Sequence, residues 1–99
     1  SLRSASLTSS EATINFQLYQ NYPNPWMQET TIEFNIGDAE GAQLEIYDLN
    51  GRMVKVFAQL NAGFNQILID RAIFPSDGVY YYRLASKTRS LTKRMIVLK

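Results

Sequence analysis

The 99-residue sequence contains neither cysteine nor histidine. Without cysteine the chain has no disulfide framework, no thiol nucleophile and no thiolate metal site. Without histidine it also lacks the usual general base and the commonest transition-metal ligand. Asp38, Glu40 and Asp77 lie in predicted turns and loops. We interpret them as solvent-exposed carboxylates of these turns, and the alternative interpretation is a weak Ca²⁺ site. Because no acid pair converges and no ligand-loop spacing is present, we expect no catalytic residue, no metal site, no cofactor and no enzyme activity.

Long hydrophobic runs are also absent. No window approaches the roughly 20 apolar residues of a membrane-spanning helix, so no transmembrane segment is expected. Residues 1–10 lack the apolar block of a secretory leader, and an exported precursor would carry its leader elsewhere. The length and the 45% hydrophobic content fit one domain with a single two-layer core.

Acidic residues are missing from one part of the chain. Residues 83–99 contain six Lys and Arg and no carboxylate, whereas residues 1–82 contain four cations against nine carboxylates. The formal net charge of +1 therefore combines an acidic body with a basic tail. The tail is a candidate signal for another protein, and the alternative is an edge strand whose cations discourage strand addition. Nucleic-acid binding is not expected, because no aromatic residues are interleaved with these cations.

Two regions differ in their hydrophobic pattern. Residues 1–15 are rich in Ser and Thr without a sustained period, which predicts a flexible linker to something N-terminal. Residues 16–99 consist of short alternating runs separated by Gly, Pro, Asn and Asp, which predicts an antiparallel β-sandwich of about seven strands and no helix. The clearest strand covers residues 30–36, where Ile32, Phe34 and Ile36 share one face.

Small and polar residues mark the predicted turns. Asn50 and Gly51 separate two apolar runs, which favours a type I′ hairpin because both residues tolerate positive φ. Asp48 and Arg52 flank this turn and are expected to pair across it, more for turn register than for stability. Gly63 lies in the next predicted corner of the chain.

Several short motifs follow one another along the chain. They are YPNP at residues 22–25, IYDLNGR at 46–52, LNAG at 60–63, GVYYYRL at 78–84 and KRMIVLK at 93–99. In this order and spacing, the chain from Leu18 to Lys99 resembles the type A C-terminal sorting domain of the bacterial type IX secretion system, which occurs on exported proteins of the Bacteroidetes. Trp26 and Phe74 stand where that family usually has Phe and Leu, so an apolar anchor is kept at both positions.

The resemblance implies both a fold and a function. It implies an immunoglobulin-like sandwich that is not an enzyme and that follows a cargo protein on the same precursor. The type IX translocon would recognise the domain and move the cargo across the outer membrane, after which a surface sortase usually removes the domain. The expected location is therefore secreted or at the cell surface, reached through the periplasm.

The same resemblance suggests which residues the translocon recognises. Gly78 and Tyr80 resemble the family's glycine–aromatic motif, in which the glycine supplies a special backbone conformation and the tyrosine packs in the core. Lys93, Arg94 and Lys99 are the best candidates for direct contact with the secretion machinery, because no core requires them and the family keeps basic residues near this position.

The proline-rich motif has a structural and a functional interpretation. Asn24 and Pro25 belong to an extended turn that is expected to pack Trp26 over one end of the core. The alternative is a structural or carbohydrate-binding sandwich attached to a secreted enzyme, in which Tyr22 and Trp26 stack on a sugar. A sorting signal acts only at the C-terminus and on any passenger, whereas a sugar-binding module works at either end.

Overall fold

A computed structural model of the chain describes residues 16–99. These residues form seven strands: β1 (Gln17–Leu18), β2 (Glu29–Asn35), β3 (Gln43–Tyr47), β4 (Met53–Phe57), β5 (Phe64–Asp70), β6 (Gly78–Ala85) and β7 (Ser90–Val97). All strand pairs are antiparallel, and the strands form two sheets. The predicted all-β sandwich of about seven strands is confirmed. The predicted linker over residues 1–15 lies outside the described residues.

The two sheets contain three and four strands. The first has the order β1-β2-β5 and the second has the order β4-β3-β6-β7. The chain crosses from one sheet to the other between β2 and β3, between β4 and β5, and between β5 and β6. This path leaves β4 and β7 at the two edges of the larger sheet, and β7 carries Lys93 and Arg94 of the basic tail.

The core lies between the sheets and follows the alternation of side chains along each strand. In β2, Ile32 and Phe34 are fully buried, whereas Thr31 and Glu33 are partly exposed. Strands β1, β3, β5, β6 and β7 supply much of the remaining core, namely Leu18, Leu44, Ile46, Ile69, Tyr80, Tyr82, Leu84, Met95 and Val97. Full burial of a large apolar side chain stabilises the fold by roughly 1.5–3 kcal/mol, so these positions hold the two sheets together.

The predicted hairpin at Asn50 and Gly51 forms between β3 and β4, but the predicted turn type is wrong. Gly51 has a φ of +84°, and only glycines have positive φ among the described residues. Asn50 therefore does not adopt the conformation that a type I′ turn requires. The backbone N–H of Gly51 donates to the carbonyl oxygen of Asp48 at 3.1 Å, and the N–H of Asp48 donates to that of Arg52 at 2.9 Å. This pattern is typical of a three-residue loop that ends in a left-handed glycine.

The loop between β5 and β6 contains a short element that the sequence pattern did not indicate. A 3₁₀ turn covers Arg71–Ile73, and the carboxylate of Asp70 accepts a hydrogen bond from the N–H of Ala72 at 2.8 Å at its start. Nε of Arg71 donates to the carbonyl oxygen of Leu98 at 3.0 Å. The turn therefore connects this loop to the residues that follow β7.

Candidate recognition surface

Gly78 and Tyr80, the predicted glycine–aromatic pair, lie at the start of β6. Gly78 has a φ of +139°, which side chains disfavour, and no atom lies within 4 Å of where a Cβ would be. The backbone angle, not crowding, therefore explains the glycine. Tyr80 is 3% exposed, and its hydroxyl donates to the carbonyl oxygen of Ser76 at 2.8 Å. The structure thus places Tyr80 in the core, where it holds the loop that precedes β6.

Three aromatic residues from distant motifs meet at this end of the core. The rings of Trp26 and Phe74 pack edge to face with centroids 5.4 Å apart, and those of Phe74 and Tyr80 do the same at 4.7 Å. Such a pair contributes about 0.5–1.5 kcal/mol beyond the burial of its area. The cluster therefore links the YPNP region, the loop after β5 and the glycine–aromatic motif, and it confirms the packing interpretation of Trp26.

The turn between β3 and β4 is organised by one carboxylate. Asp48 accepts hydrogen bonds from the backbone N–H groups of Arg52 at 2.8 Å and Asn50 at 2.9 Å, and from Nε of Arg52 at 3.0 Å. The backbone hydrogen bond from Arg52, with the Arg52 side chain and the N–H of Asn50, holds the pKa of Asp48 below its usual value. The predicted pairing of Asp48 with Arg52 is therefore present, but the carboxylate of Asp48 accepts more hydrogen bonds from the backbone of the turn than from the Arg52 side chain.

Two motifs that are far apart in sequence face each other across a cleft. The β3–β4 turn lines one side, and the loop that leads into β6 lines the other. The cleft has a volume of about 310 Å³ and includes Asp48, Arg52, Asp77 and Gly78. The oxygens of Asp48 already accept hydrogen bonds from the turn, so the exposed side chain of Asp77 is the other carboxylate that lines the cleft.

The predicted recognition cations do not share one surface. Lys93 is opposite Tyr82 in the register of β6 and β7, so it lies on the core side of the sheet and is half-buried. Arg94 is opposite Tyr81, lies on the outer side and is exposed. Lys99 is exposed and follows the end of β7. The contact of these cations with the secretion machinery stays a prediction, and the structure places Lys93 and Arg94 on opposite faces of β7.

Residues 20–26, which we call the strap, cover the outer edge of β7. The N–H of Trp26 donates to the carbonyl oxygen of Ile96 at 3.1 Å, and the N–H of Leu98 donates to that of Trp26 at 2.7 Å. The side-chain oxygen of Asn24 accepts a hydrogen bond from the N–H of Ile96 at 2.9 Å. The strap therefore runs parallel to the end of β7 and pairs backbone groups that an edge strand would otherwise expose.

The strap also contacts β2 and contains both prolines of the YPNP motif. The peptide bonds that precede Pro23 and Pro25 are cis. Tyr22 forms an isolated bridge with Thr31, and its side chain is 81% exposed. Trp26, in contrast, is only 1% exposed. The structure does not form the two-ring platform of the carbohydrate-binding alternative, because Trp26 presents no accessible ring face.

The sequence pattern did not single out a buried carboxylate in β3. Glu45 is 4% exposed and accepts hydrogen bonds from the Tyr47 hydroxyl at 2.6 Å and from Nε of Arg83 at 2.9 Å. Gln43 donates to its second oxygen. Burial acts to raise the pKa of Glu45, but the hydrogen bonds from these neighbours and the charge of Arg83 outweigh it and hold the pKa below its usual value. The hydrogen bond to Glu45 raises the pKa of Tyr47.

A second unforeseen contact connects the start of the strap to β6. The hydroxyl of Tyr82 donates to the carbonyl oxygen of Tyr19 at 2.9 Å and accepts from the N–H of Asn21 at 2.7 Å. Burial raises the pKa of Tyr82 to about 12. Strand alternation predicts that Tyr82 faces the core, but the pattern carries no signal for the partners of its hydroxyl.

The described part of the chain lacks two further kinds of feature. Residues 16–99 contain no group of three or more Asp, Glu, His or Cys side chains arranged to hold a metal ion. Over the same residues, no helix has the length and apolar character needed to cross a membrane.

A family model matches most of the chain. The family model described as a secretion system C-terminal sorting domain matches residues 20–98. A search of curated proteins finds no match. The matched range runs from the strap through β2 to β7, so it includes the aromatic cluster, the β3–β4 turn and the covered edge strand.

Proposed function

The chain belongs to the family of secretion system C-terminal sorting domains, and on that premise we propose that it delivers a cargo protein to the type IX translocon and is then removed by a surface sortase. Membership of the family implies a type IX sorting signal that directs an attached N-terminal protein across the outer membrane. The proposal adds the removal step and the release or display of the cargo at the cell surface.

One observation carries this function: the family match covers almost the whole sandwich. The match is therefore to a complete folded unit and not to one short motif. We further propose that the domain acts by binding and has no catalytic activity of its own. The cleft described above supports this view, because one of its two carboxylates, Asp48, is already engaged by its own turn.

We assign the predicted recognition residues to two groups with different tasks. Gly78 and Tyr80 shape the loop before β6 from inside the domain, so we assign them to the scaffold of the signal. Arg94 and Lys99 are exposed and Lys93 is half-buried, so direct contacts with the translocon are assigned to the exposed cations first.

Export of a passenger tests the function. The full chain, Ser1–Lys99, is placed behind a periplasmic leader and a fluorescent protein in a host that has the type IX system. Fluorescence is expected in the medium or at the cell surface, and the sortase is expected to separate the passenger from the domain.

Two controls distinguish this function from the alternative. A host without the translocon should retain the fusion in the periplasm, and a fusion with the domain placed before the fluorescent protein should not be exported. An intact, folded fusion that stays in the periplasm of the competent host would overturn the sorting function, whereas export in either order would favour a module that is not a terminal signal.

A further inference from the structure

The outer faces of the two sheets differ in charge. The outer side of the three-stranded sheet carries Glu29, Glu33 and Asp70. In the register of β2 and β5, Glu29 lies opposite Asp70 and Glu33 lies opposite Gln66. Strands β1, β2 and β5 contain no Lys or Arg. This face is therefore acidic and has no cation within its strands.

The outer side of the four-stranded sheet has a different composition. Its register places Met53, Tyr47, Tyr81 and Arg94 opposite one another, one from each strand, in a single row across the sheet. We call these four residues the tyrosine–arginine row. With strands about 4.8 Å apart the row is roughly 14 Å wide. Tyrosine, methionine and arginine are the residues that protein interfaces favour over the remaining surface.

Exposure along the row leaves side chains available for contact. Met53 is 50% exposed and Tyr81 is 37% exposed, and Ile96 beside Arg94 is 38% exposed. A shallow depression of about 300 Å³ adjoins the row. It is lined by Tyr47 and Tyr81 of the row and by Asp48, Leu49, Gly51, Arg83 and Thr92. A flat sheet face with a depression next to exposed aromatic residues has the shape that accepts a partner side chain.

Charge identifies the partner that fits this row. Glu45, the carboxylate among the outward residues of β3, is buried and already accepts hydrogen bonds from Arg83 and Tyr47. The ion pairs of the described residues join Arg52 to Asp48, Arg83 to Glu45 and Lys87 to Glu40, and Arg94 takes part in none of them. The cation at the end of the row is therefore uncompensated within the described residues.

The Glu45 cluster holds one member of the row, Tyr47, in place. Its hydrogen bonds fix the ring of Tyr47 and the neighbouring guanidinium of Arg83 in one arrangement before any partner binds. Preorganised side chains lose less conformational entropy on association. The row therefore combines one preorganised tyrosine with one free positive charge at Arg94.

On the basis of the proposed function, we propose that the tyrosine–arginine row is the surface by which the sorting domain docks on a protein of the secretion machinery, and that this partner presents a carboxylate to Arg94. Arginine binds a carboxylate through two parallel hydrogen bonds, which fixes orientation as well as charge. Tyr81 lies opposite Arg94 and Ile96 lies beside it on the outer face, so their apolar parts pack next to that contact and exclude water from it.

Export kinetics of the full-chain fusion test this proposal. Arg94→Glu reverses the free charge, and Tyr81→Ser removes the exposed ring from the centre of the row. Each variant is expected to slow export by about tenfold or more, because a like charge or a lost anchor at a docking surface is strongly unfavourable. Arg94→Lys keeps the charge and is expected to retain more export than Arg94→Glu.

Two control variants match these changes outside the row. Lys87→Glu makes the same charge change in the turn of the same hairpin, where the side chain is 73% exposed. Leu68→Ser removes an apolar group that is 63% exposed on the outer face of the other sheet. Both controls are expected to be exported at close to the unmodified rate, and thermal melts of all purified domains show whether each variant is folded.

The outcomes separate this proposal from the sorting function. If the unmodified fusion is exported and folded Arg94→Glu and Tyr81→Ser are exported equally well, the row is not the docking surface, although the sorting function stands. Equal slowing by Lys87→Glu and Arg94→Glu would show a response to net charge, such as attraction to an anionic membrane, and would also overturn the proposal. Failure of the unmodified fusion to leave the periplasm would instead contradict the sorting function itself.

Discussion

The backbone N–H of Trp26 donates a hydrogen bond of 3.1 Å to the carbonyl oxygen of Ile96. Seventy residues separate the two along the sequence, and the bond fastens the start of the sandwich to its last strand. Since the ring of Trp26 also packs against Phe74, the strap contributes both to the core and to the covered edge of β7. The stability of the domain and the order of its terminal strand are therefore coupled.

The first prediction concerns this coupling. Replacing Trp26 with Ala is expected to lower the free energy of unfolding by about 3–5 kcal/mol, because a fully buried ring and its contacts are lost. Trp26→Phe should cost less. Tyr22→Ala, in the same strap at an exposed position, should change stability by about 0.5 kcal/mol or less. Urea denaturation of the three variants measures these differences, and similar midpoints for Trp26→Ala and Tyr22→Ala would contradict the anchoring role.

The second prediction concerns the turn between β3 and β4. Gly51 has a φ of +84° with open space around it, so a side chain there meets conformational strain and no clash. Gly51→Val is expected to cost about 1–3 kcal/mol, whereas Gly51→Asn should cost clearly less because asparagine tolerates this region. Thermal melts compare the two variants. Equal melting temperatures for the valine and asparagine variants would show that the turn does not impose this conformation.

The third prediction is a loss of stability in acid. The pKa of Glu45 in the folded domain lies below its ordinary value of 4.5, since hydrogen bonds and the charge of Arg83 outweigh burial. A lowered folded pKa adds stability that is complete above the unfolded pKa and disappears as pH falls through the folded one. Glu45→Gln should therefore flatten the decline of unfolding free energy below pH 4.5. Parallel pH profiles for the two proteins would argue against this contribution.

The fourth prediction applies to alkaline solution. Burial raises the pKa of Tyr82 from 10.0 to about 12, so the protonated hydroxyl stabilises the fold below the unfolded pKa and this contribution is lost as pH rises through the folded value. Tyr82→Phe removes that pH dependence. It should also cost about 1–3 kcal/mol at neutral pH, because the buried N–H of Asn21 loses its acceptor. Urea unfolding at a series of pH values measures both effects, and an unchanged neutral stability would count against the hydrogen bond.

Strand positions were predictable where local alternation determines them. The buried faces of β2 and β6 follow directly from the period of two at Ile32, Phe34, Tyr82 and Leu84. The turn at Gly51 was located correctly and assigned the wrong type, because Asn-Gly is compatible with both a two-residue and a three-residue loop. Local sequence favours one over the other only weakly.

Contacts between distant segments were not predictable in the same way. The parallel pairing of the strap with β7 produces no periodic pattern of side chains in the sequence, because it is formed by backbone groups, which every residue has. Glu45, which alternation places on the outer face, is held by Gln43 and Tyr47 of its own strand and by Arg83 of β6, and no local pattern predicts this set. The row that includes Tyr81 and Arg94 depends on the registers of three strand pairs, and no single segment of sequence contains it.

The last prediction separates folding from recognition in the tail. Deleting residues 92–99 removes most of β7 and the backbone partners of Trp26, so the domain is expected to unfold and export to stop. Changing Lys93, Arg94 and Lys99 together to Glu keeps every apolar residue of the strand. The charge changes at exposed Arg94 and Lys99 usually move stability by about 0.5 kcal/mol each, and the change at half-buried Lys93 is expected to cost more. The triple variant should therefore melt somewhat below the unmodified domain, remain folded and be exported poorly, because it presents repulsion where an acidic partner surface would attract it. Thermal melting and export are measured on the same proteins. A folded triple variant that leaves the cell at the normal rate would show that these cations only solvate the surface.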